Sequence, residues 1–231
     1  MAKRPIFIPL GKPEHLVKEV QIDFEWNPGF APIQKKKNVA ALHEAAEKMG
    51  LNPLLEVSTK SEELLGQRLS AFNLLIETDL GAISIEAAFQ GSKVFESGGP
   101  FSDIYEIDSF SAKKDPRLKE SGQLIRFDYF GQDWPLVPRT SFYDWLYLTA
   151  LSPHQDYLKR LYDFNGFTDI EFNPKKSINC QARTCAILVS LLKLDTLDEA
   201  LKTQQNFIEM TSTDSAKQNH STSLRQESFA I

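Results

Sequence analysis

Val20, Ile22, Phe24 and Trp26 alternate with Gln21, Asp23 and Glu25, the period of a half-buried strand, and Asn27-Pro28-Gly29 ends it in a turn. From Lys35 to Met49 the apolar positions Val39, Leu42, Ala46 and Met49 return at helical spacing, and Gly50 supplies a left-handed stop. Leu54 to Val57 predicts a short strand, and Thr59 with Glu62 predicts a capping box for a helix through Leu69. A hairpin follows, Phe72 to Thr78 against Ala82 to Ile85, turning through Asp79-Leu80-Gly81. A helix is predicted from Ile85 to Glu96, closed by Ser97-Gly98-Gly99-Pro100, which no helix crosses.

In the second half Leu124 to Phe130 predicts a strand. Ser141 to Leu151 predicts an aromatic-rich helix burying Phe142, Trp145, Leu146 and Leu148. Thr168 to Phe172 predicts a further strand, Ser177 a cap for a helix to Leu192, and Thr196 to Phe207 a last helix. Beyond it, residues 208–231 are rich in Ser, Thr, Gln and Asn and read as a flexible, disordered polar tail. The class is α+β: one helix-rich domain over residues 1–207 with a small antiparallel sheet, and no internal repeat or linker between two cores.

Composition narrows the function classes. With 231 residues and 42% apolar side chains, the chain supports one sizeable core. No apolar run reaches the ~18 residues of a membrane helix. The first ten residues, split by Pro5 and Pro9, do not make a signal peptide. Two cysteines exclude a disulfide framework and suit a reducing cytoplasm. The net charge of −5 argues against non-specific nucleic-acid binding, but the charge is uneven. Residues 61–110 carry two Lys/Arg against nine Asp/Glu, whereas residues 1–60 carry nine against seven. A nucleic acid would therefore be held by flanking runs such as Lys35-Lys36-Lys37, which otherwise read as a solvated face.

Generic site signatures are absent: there is no P-loop, no G-x-G-x-x-G and no H-E-x-x-H. The four histidines show no metal-ligand spacing, and Cys180 and Cys185 read as buried core thiols, so neither a metal nor a cofactor is expected. The predicted helix from Ile85 is more informative. At about 100° per residue, Gln90 lies about +40° and Lys93 about −20° from Glu86, so a carboxylate, an amide and an ammonium share one stripe. Phe89 lies beside it. The stripe is either a solvent-facing ion pair or a reactive site.

Leu69-Ser70-Ala71-Phe72-Asn73, a hairpin, then Glu86-x-x-Phe89-Gln90-x-x-Lys93 resembles the core of the NADAR family, which carries an L-S-N-F stretch ahead of an E-H-x-x-Q-A-x-K helix. Further segments resemble the stand-alone NADAR antitoxins encoded beside DarT-type DNA ADP-ribosyltransferase toxins: Phe24 to Ala31, Gln90 to Pro100, Phe142 to Tyr147 and Thr168 to Arg183. The likeness spans about residues 3–195. Ala71 replaces the motif's Asn and Ala87 its His, so no role passes to those positions.

The resemblance implies a hydrolase that removes ADP-ribose from guanine bases of DNA, with ADP-ribosylated DNA as substrate and a DarT-type toxin as functional partner. It implies Glu86, Lys93 and Glu171 as catalytic groups, with the division of labour between Glu86 and Lys93 open. Gln90, Phe89, Ser70, Phe72, Asn73, Gly98, Gly99, Trp145, Asp144, Arg183 and Trp26 are the expected ligand-binding residues. For the two tryptophans the alternative is core packing. Lys176 and the Ser177 helix start are further diphosphate candidates, and Lys35, Lys36 and Lys37 are the expected contacts to DNA phosphates. Two other readings stand beside this one. One is a non-catalytic module that sequesters modified DNA or the toxin; the other is a hydrolase of free ribosylated nucleotides.

Overall fold

The alternation ending at Trp26 belongs to the second arm of a long hairpin. In a computed structural model, which describes residues 1–175 and 177–218 (side chains through 212), β1 (Ala2–Lys12) pairs antiparallel with β2 (His15–Phe24), from Ala2↔Phe24 to Lys12↔His15. β1 was not predicted, because Pro5 and Pro9 interrupt it. It touches β9 (Gly166–Thr168) only at Phe7↔Phe167, so most of its outer edge tolerates residues without an N–H. β3 (Leu54–Glu56) joins β9 in parallel and completes a four-stranded sheet ordered β2-β1-β9-β3.

This sheet divides the core. Ile6, Ile22 and Phe24 pack against Val39, Leu42 and Ala46 of α1 (Pro32–Glu47), which ends before Gly50 at φ +77°. Phe7 on the other face joins the main cluster, centred on α8 (Gln181–Lys193). Ala182 through Leu191 of α8 are all buried, so the helix is the molecule's central post. Against it lies α6 (Ser141–Leu151), whose bounds match the predicted ones.

The elements between carry the site. α2 (Leu64–Arg68) is shorter than predicted, and its N-cap Glu63 makes no side-chain cap bond. Thr59 instead bonds Glu171 and accepts from Lys60, so the capping box is not formed. The hairpin is β4 (Leu75–Thr78) with β5 (Gly81–Ser84), turning through Asp79 and Leu80. Ser84 caps α3 (Ile85–Gly91) by accepting from the Ala87 N–H at 3.1 Å.

α3 ends five residues before the predicted limit. Ser92 Oγ donates back to the Ala88 carbonyl, and the chain enters β6 (Lys93–Phe95). A Cβ on Gly91 would lie 2.5 Å from the Tyr105 ring, so glycine lets the next segment close over the helix. That segment runs through a 3-10 turn (Ser102–Glu106), α4 (Ser109–Lys114) and α5 (Arg117–Glu120). β6 then pairs with β7 (Leu124–Tyr129), and β7 with β8 (Gln132–Trp134).

The C-terminal part holds α7 (Gln155–Leu161), α9 (Leu197–Lys202) and α10 (Gln204–Gln218). The single last helix of the sequence reading is thus two, broken at Thr203. Ile208 and Met210 pack on the core, so the polar stretch from residue 208 begins as helix. The remainder of the predicted tail, 219–231, lies outside the described residues. The fold is α+β, as expected, with three small sheets among the described residues. No helix among those residues is long and apolar enough to cross a membrane.

Candidate active site

Glu86 sits in the first turn of α3, where the helix dipole favours a negative charge, yet it is 0% exposed. The turn Leu69–Asn73 fixes the helix start: the Glu86 N–H donates to the Ala71 carbonyl at 3.1 Å, and the Ala71 N–H donates to Gln181 Oε1 at 2.7 Å. One helical turn on, Gln90 Nε2 donates to Glu86 Oε1 at 2.9 Å. Glu86 Oε2 and Gln90 Oε1 are buried with no protein partner. Leaving a buried acceptor unpaired costs about 1–3 kcal/mol, so both oxygens are open to a donor from a ligand or a water molecule.

Lys93 comes to the same place by another route. The sequence put it on the helix; it is the first residue of β6, just after the Ser92 cap. The residue is 5% exposed, and its ammonium lies 4.9 Å from the centre of the Phe89 ring. Phe89 is in turn enclosed by Phe127, Phe142 and Tyr143. Burial pulls the Lys93 amine down to about 8, against the opposing pull of Glu86 and with a further push from Lys113. Burial also raises the Glu86 carboxyl above its ordinary range, partly offset by Lys113, Gln90 and Lys93. An acid shifted toward its neutral form and an amine brought down to about 8 therefore lie within electrostatic reach of each other in an aromatic part of the core.

Around this centre the structure gathers some of the expected residues and not others. Ser70 is buried in the turn that positions α3, Phe72 is half-buried beneath the Lys113 ammonium (5.2 Å), and Asn73 is exposed, tied to the Gln67 carbonyl. Gly99, at φ +91°, lies against the backbone of Lys93: a Cβ there would meet the Lys93 carbonyl oxygen at 2.2 Å. Gly98 is bonded into the same loop, its carbonyl accepting from the Phe95 N–H. Gly99 thus braces Lys93, and Gly98 ties the same loop to Phe95.

Asp144 and Arg183 form a buried ion pair at 3.1 Å between α6 and α8, with Thr184 also donating to Asp144. Arg183 Nη2 is buried without a partner. Burial raises the Asp144 carboxyl despite Arg183. The helix cap expected at Ser177 is not made. α8 starts at Gln181, after Cys180, and Ser177 Oγ donates to the Asn179 carbonyl. Lys176 lies outside the described residues.

Glu171 is exposed on a turn, because β9 ends at Thr168 rather than at Phe172. It lies 3.9 Å from the Lys60 ammonium and accepts from Thr59. Trp145 packs on Tyr129 and Trp134, away from Phe89. Trp26 stacks edge-on against Phe24 and lies under Arg4 and Lys35. Lys36 and Lys37 are exposed on α1.

Over residues 2–221 the sequence matches the family model described as DarT1-associated NADAR antitoxin. The chain belongs to that family. A comparison with curated proteins returned no match.

Sequence reasoning missed several neighbours of the site in this NADAR antitoxin. Asp169 is buried beside Glu56 and Glu171; burial first, then those two charges, push its carboxyl up to about 8. It accepts from the Glu171 and Phe172 N–H groups and from the Gln181 side chain. Gln181 thus ties Asp169 to the Ala71–Glu86 turn. Tyr143 is within electrostatic reach of both carboxyls, its phenol held well above its ordinary value by burial and by Glu86 and Asp169. No pattern in the sequence singles out Asp169: β9 ends at Thr168, and the turn that follows buries Asp169 while leaving Glu171 exposed. Lys113 carried no signal either, since only the fold of residues 101–115 over α3 brings it to Glu86.

Proposed function

We propose that this protein is a hydrolase that removes ADP-ribose from guanine bases of DNA, reversing the modification made by its DarT1-type toxin. The observation that carries the reading is the buried group of Glu86, Gln90 and Lys93 against Phe89, with unpartnered oxygens on Glu86 and Gln90. Cleaving an N-glycosidic bond requires a nucleophile at the anomeric carbon and a proton for the departing guanine amine. Neutral Lys93 attacks C1 of the distal ribose as its bond to guanine N2 breaks. Protonated Glu86 gives its proton to that nitrogen and, as carboxylate, takes one from the new ammonium. Opening of the ribose ring gives an imine on Lys93. Water then adds to it, and expulsion of the amine releases ADP-ribose.

The surroundings support each role. With its amine lowered to about 8, Lys93 has a minority neutral form near pH 7, roughly a tenth, and burial shifts Glu86 toward its protonated form. The unpartnered Gln90 Oε1 can accept from a ribose hydroxyl. Asp169 is a better-placed second carboxyl than Glu171, being buried and linked through Gln181 to the α3 start.

The test is incubation with an oligonucleotide ADP-ribosylated on guanine, alongside Glu86→Gln and Lys93→Ala. Release of intact ADP-ribose by wild type, with both variants slower by about 10²-fold or more, supports the reading. Tight binding with no release by wild type overturns it in favour of a sequestering module. Cleavage of the free modified nucleoside but not of the oligonucleotide overturns the DNA assignment.

A further inference from the structure

The start of α1 carries a surface that neither the core nor the buried site explains. From Trp26 to His43 the sequence holds three lysines and no carboxylate, in a chain whose net charge is −5. Lys35, Lys36 and Lys37 occupy the first two turns of α1, whose first turn has no acid. Lys35, in the first turn, opposes the helix dipole by about 0.3–1 kcal/mol, so the fold draws no stability from its charge. Beside these lysines Phe30 is 100% exposed and Ile33 is 58% exposed. Large side chains so placed gain nothing from the core.

The loop entering the ridge is anchored at Asn27. Asn38 is fully buried and clamps the approaching loop from both sides: its Oδ1 accepts from the Asn27 N–H at 2.7 Å, and its Nδ2 donates to the Asn27 carbonyl at 2.9 Å. Binding on a clamped loop loses little conformational entropy. From this ridge a series of side-chain contacts runs toward the site. Lys35 and Arg4 both lie over the Trp26 ring, at 5.9 and 5.4 Å. Arg4 lies within electrostatic reach of Asp169, and its Nε is buried with no protein partner. Asp169 joins the Glu86 turn through Gln181.

We propose that single-stranded DNA docks on this ridge, with phosphates on Lys36 and Lys37 and a base on Phe30, and passes Trp26 and Arg4 toward the site. The inference rests on the reading of the protein as a DNA-directed hydrolase and names how the strand is held. Single-stranded rather than paired DNA follows from two features. Glu86 and Lys93 are too deeply buried to reach a base left in a duplex stack, so the target must be unstacked. An exposed aromatic ring beside cations is the arrangement that binds unpaired bases and backbone without reading sequence.

The test uses the full-length protein and a short unmodified single-stranded oligonucleotide, with binding followed by anisotropy across a salt series. Lys36→Ala/Lys37→Ala should weaken binding roughly tenfold at low salt and reduce the slope of log K against log salt by about 1.4. Phe30→Ala should weaken binding about fivefold or more with the slope unchanged. The same variants should hydrolyse the ADP-ribosylated nucleoside, which has no strand to dock, at the wild-type rate while KM for the modified oligonucleotide rises. Unchanged oligonucleotide affinity and slope overturn the proposal, as does equal affinity of wild type for duplex and single strand. If wild type hydrolyses neither substrate, the hydrolase reading fails, and the binding series still decides for or against the docking surface.

Discussion

Gln90 donates its amide N–H to Glu86 across a single turn of a fully buried helix, at 2.9 Å, and each of the two side chains keeps one oxygen without a partner. A structural hydrogen bond would be arranged to satisfy both groups. Here the pair is half-finished in an apolar wall, facing the same aromatic pocket that lowers the Lys93 amine. Two unpaired acceptors in the interior cost stability at this point.

Lys93 makes such a cost measurable. Its amine drops from 10.5 unfolded to about 8 folded, so the buried charge opposes folding fully below pH 8. The opposition fades as pH rises from about 8 to 10.5, where the unfolded chain still holds a proton that the folded one has lost. Lys93→Met should therefore raise thermal stability at pH 7 by about 1–3 kcal/mol while abolishing turnover. Melting curves at pH 7 and pH 10 should show the gain shrinking at the higher pH. Turnover by wild type should rise with pH through about 8, as the neutral amine accumulates.

Asp169 predicts the opposite slope. Its carboxyl holds a proton in the folded state up to about pH 8, against 3.8 in the ordinary state, and Glu56 beside it is also raised. Their stabilising contribution is complete below the ordinary carboxylate range and is lost as pH climbs toward 8. Asp169→Asn should flatten the fall in melting temperature between pH 5 and 8. An unchanged pH profile would remove Asp169 from the buried carboxyl group described above.

The Asp144–Arg183 pair is buried on both sides. Arg183→Met alone should cost about 3–5 kcal/mol, because it leaves a carboxyl in the interior without its cation. Arg183→Met combined with Asp144→Leu should cost less than Arg183→Met alone. Denaturant titration of the two single variants and the double variant reads the coupling directly.

Gly99→Ala puts a Cβ within 2.2 Å of the Lys93 carbonyl at a backbone angle of φ +91°. The left-handed angle alone accounts for about 1–3 kcal/mol, and the contact forces β6 to move. We expect lower stability and a larger loss of turnover than Gly131→Ala, where φ is +82° but nothing lies within 4 Å. Equal turnover in the two variants would show that the brace does not position Lys93.

These features were unequally legible in the sequence. The aromatic helix Ser141–Leu151 and the hairpin at Asp79-Leu80 could be read because local period and turn chemistry coincide there with the fold. β1 could not, since its prolines are tolerated only by virtue of an edge that the sequence does not reveal. Glu86 and Gln90 were placed correctly by helical spacing. Lys93 reached the same pocket although the helix predicted to carry it ends at Gly91, because β6 turns back over Phe89. Asp169 and Lys113 depended on tertiary burial and packing, for which one strand's alternation gives no decision.

The central claim is that Lys93 attacks the ribose with Glu86 beside it. The most direct measurement is reduction of the turning-over reaction with borohydride, followed by peptide mass mapping. A hydride would convert the Lys93 imine into a stable secondary amine. We predict an ADP-ribose adduct on the peptide containing Lys93, absent from Lys93→Ala. Continued release of ADP-ribose by Lys93→Ala, or efficient wild-type turnover with no adduct trapped on Lys93, would contradict the account.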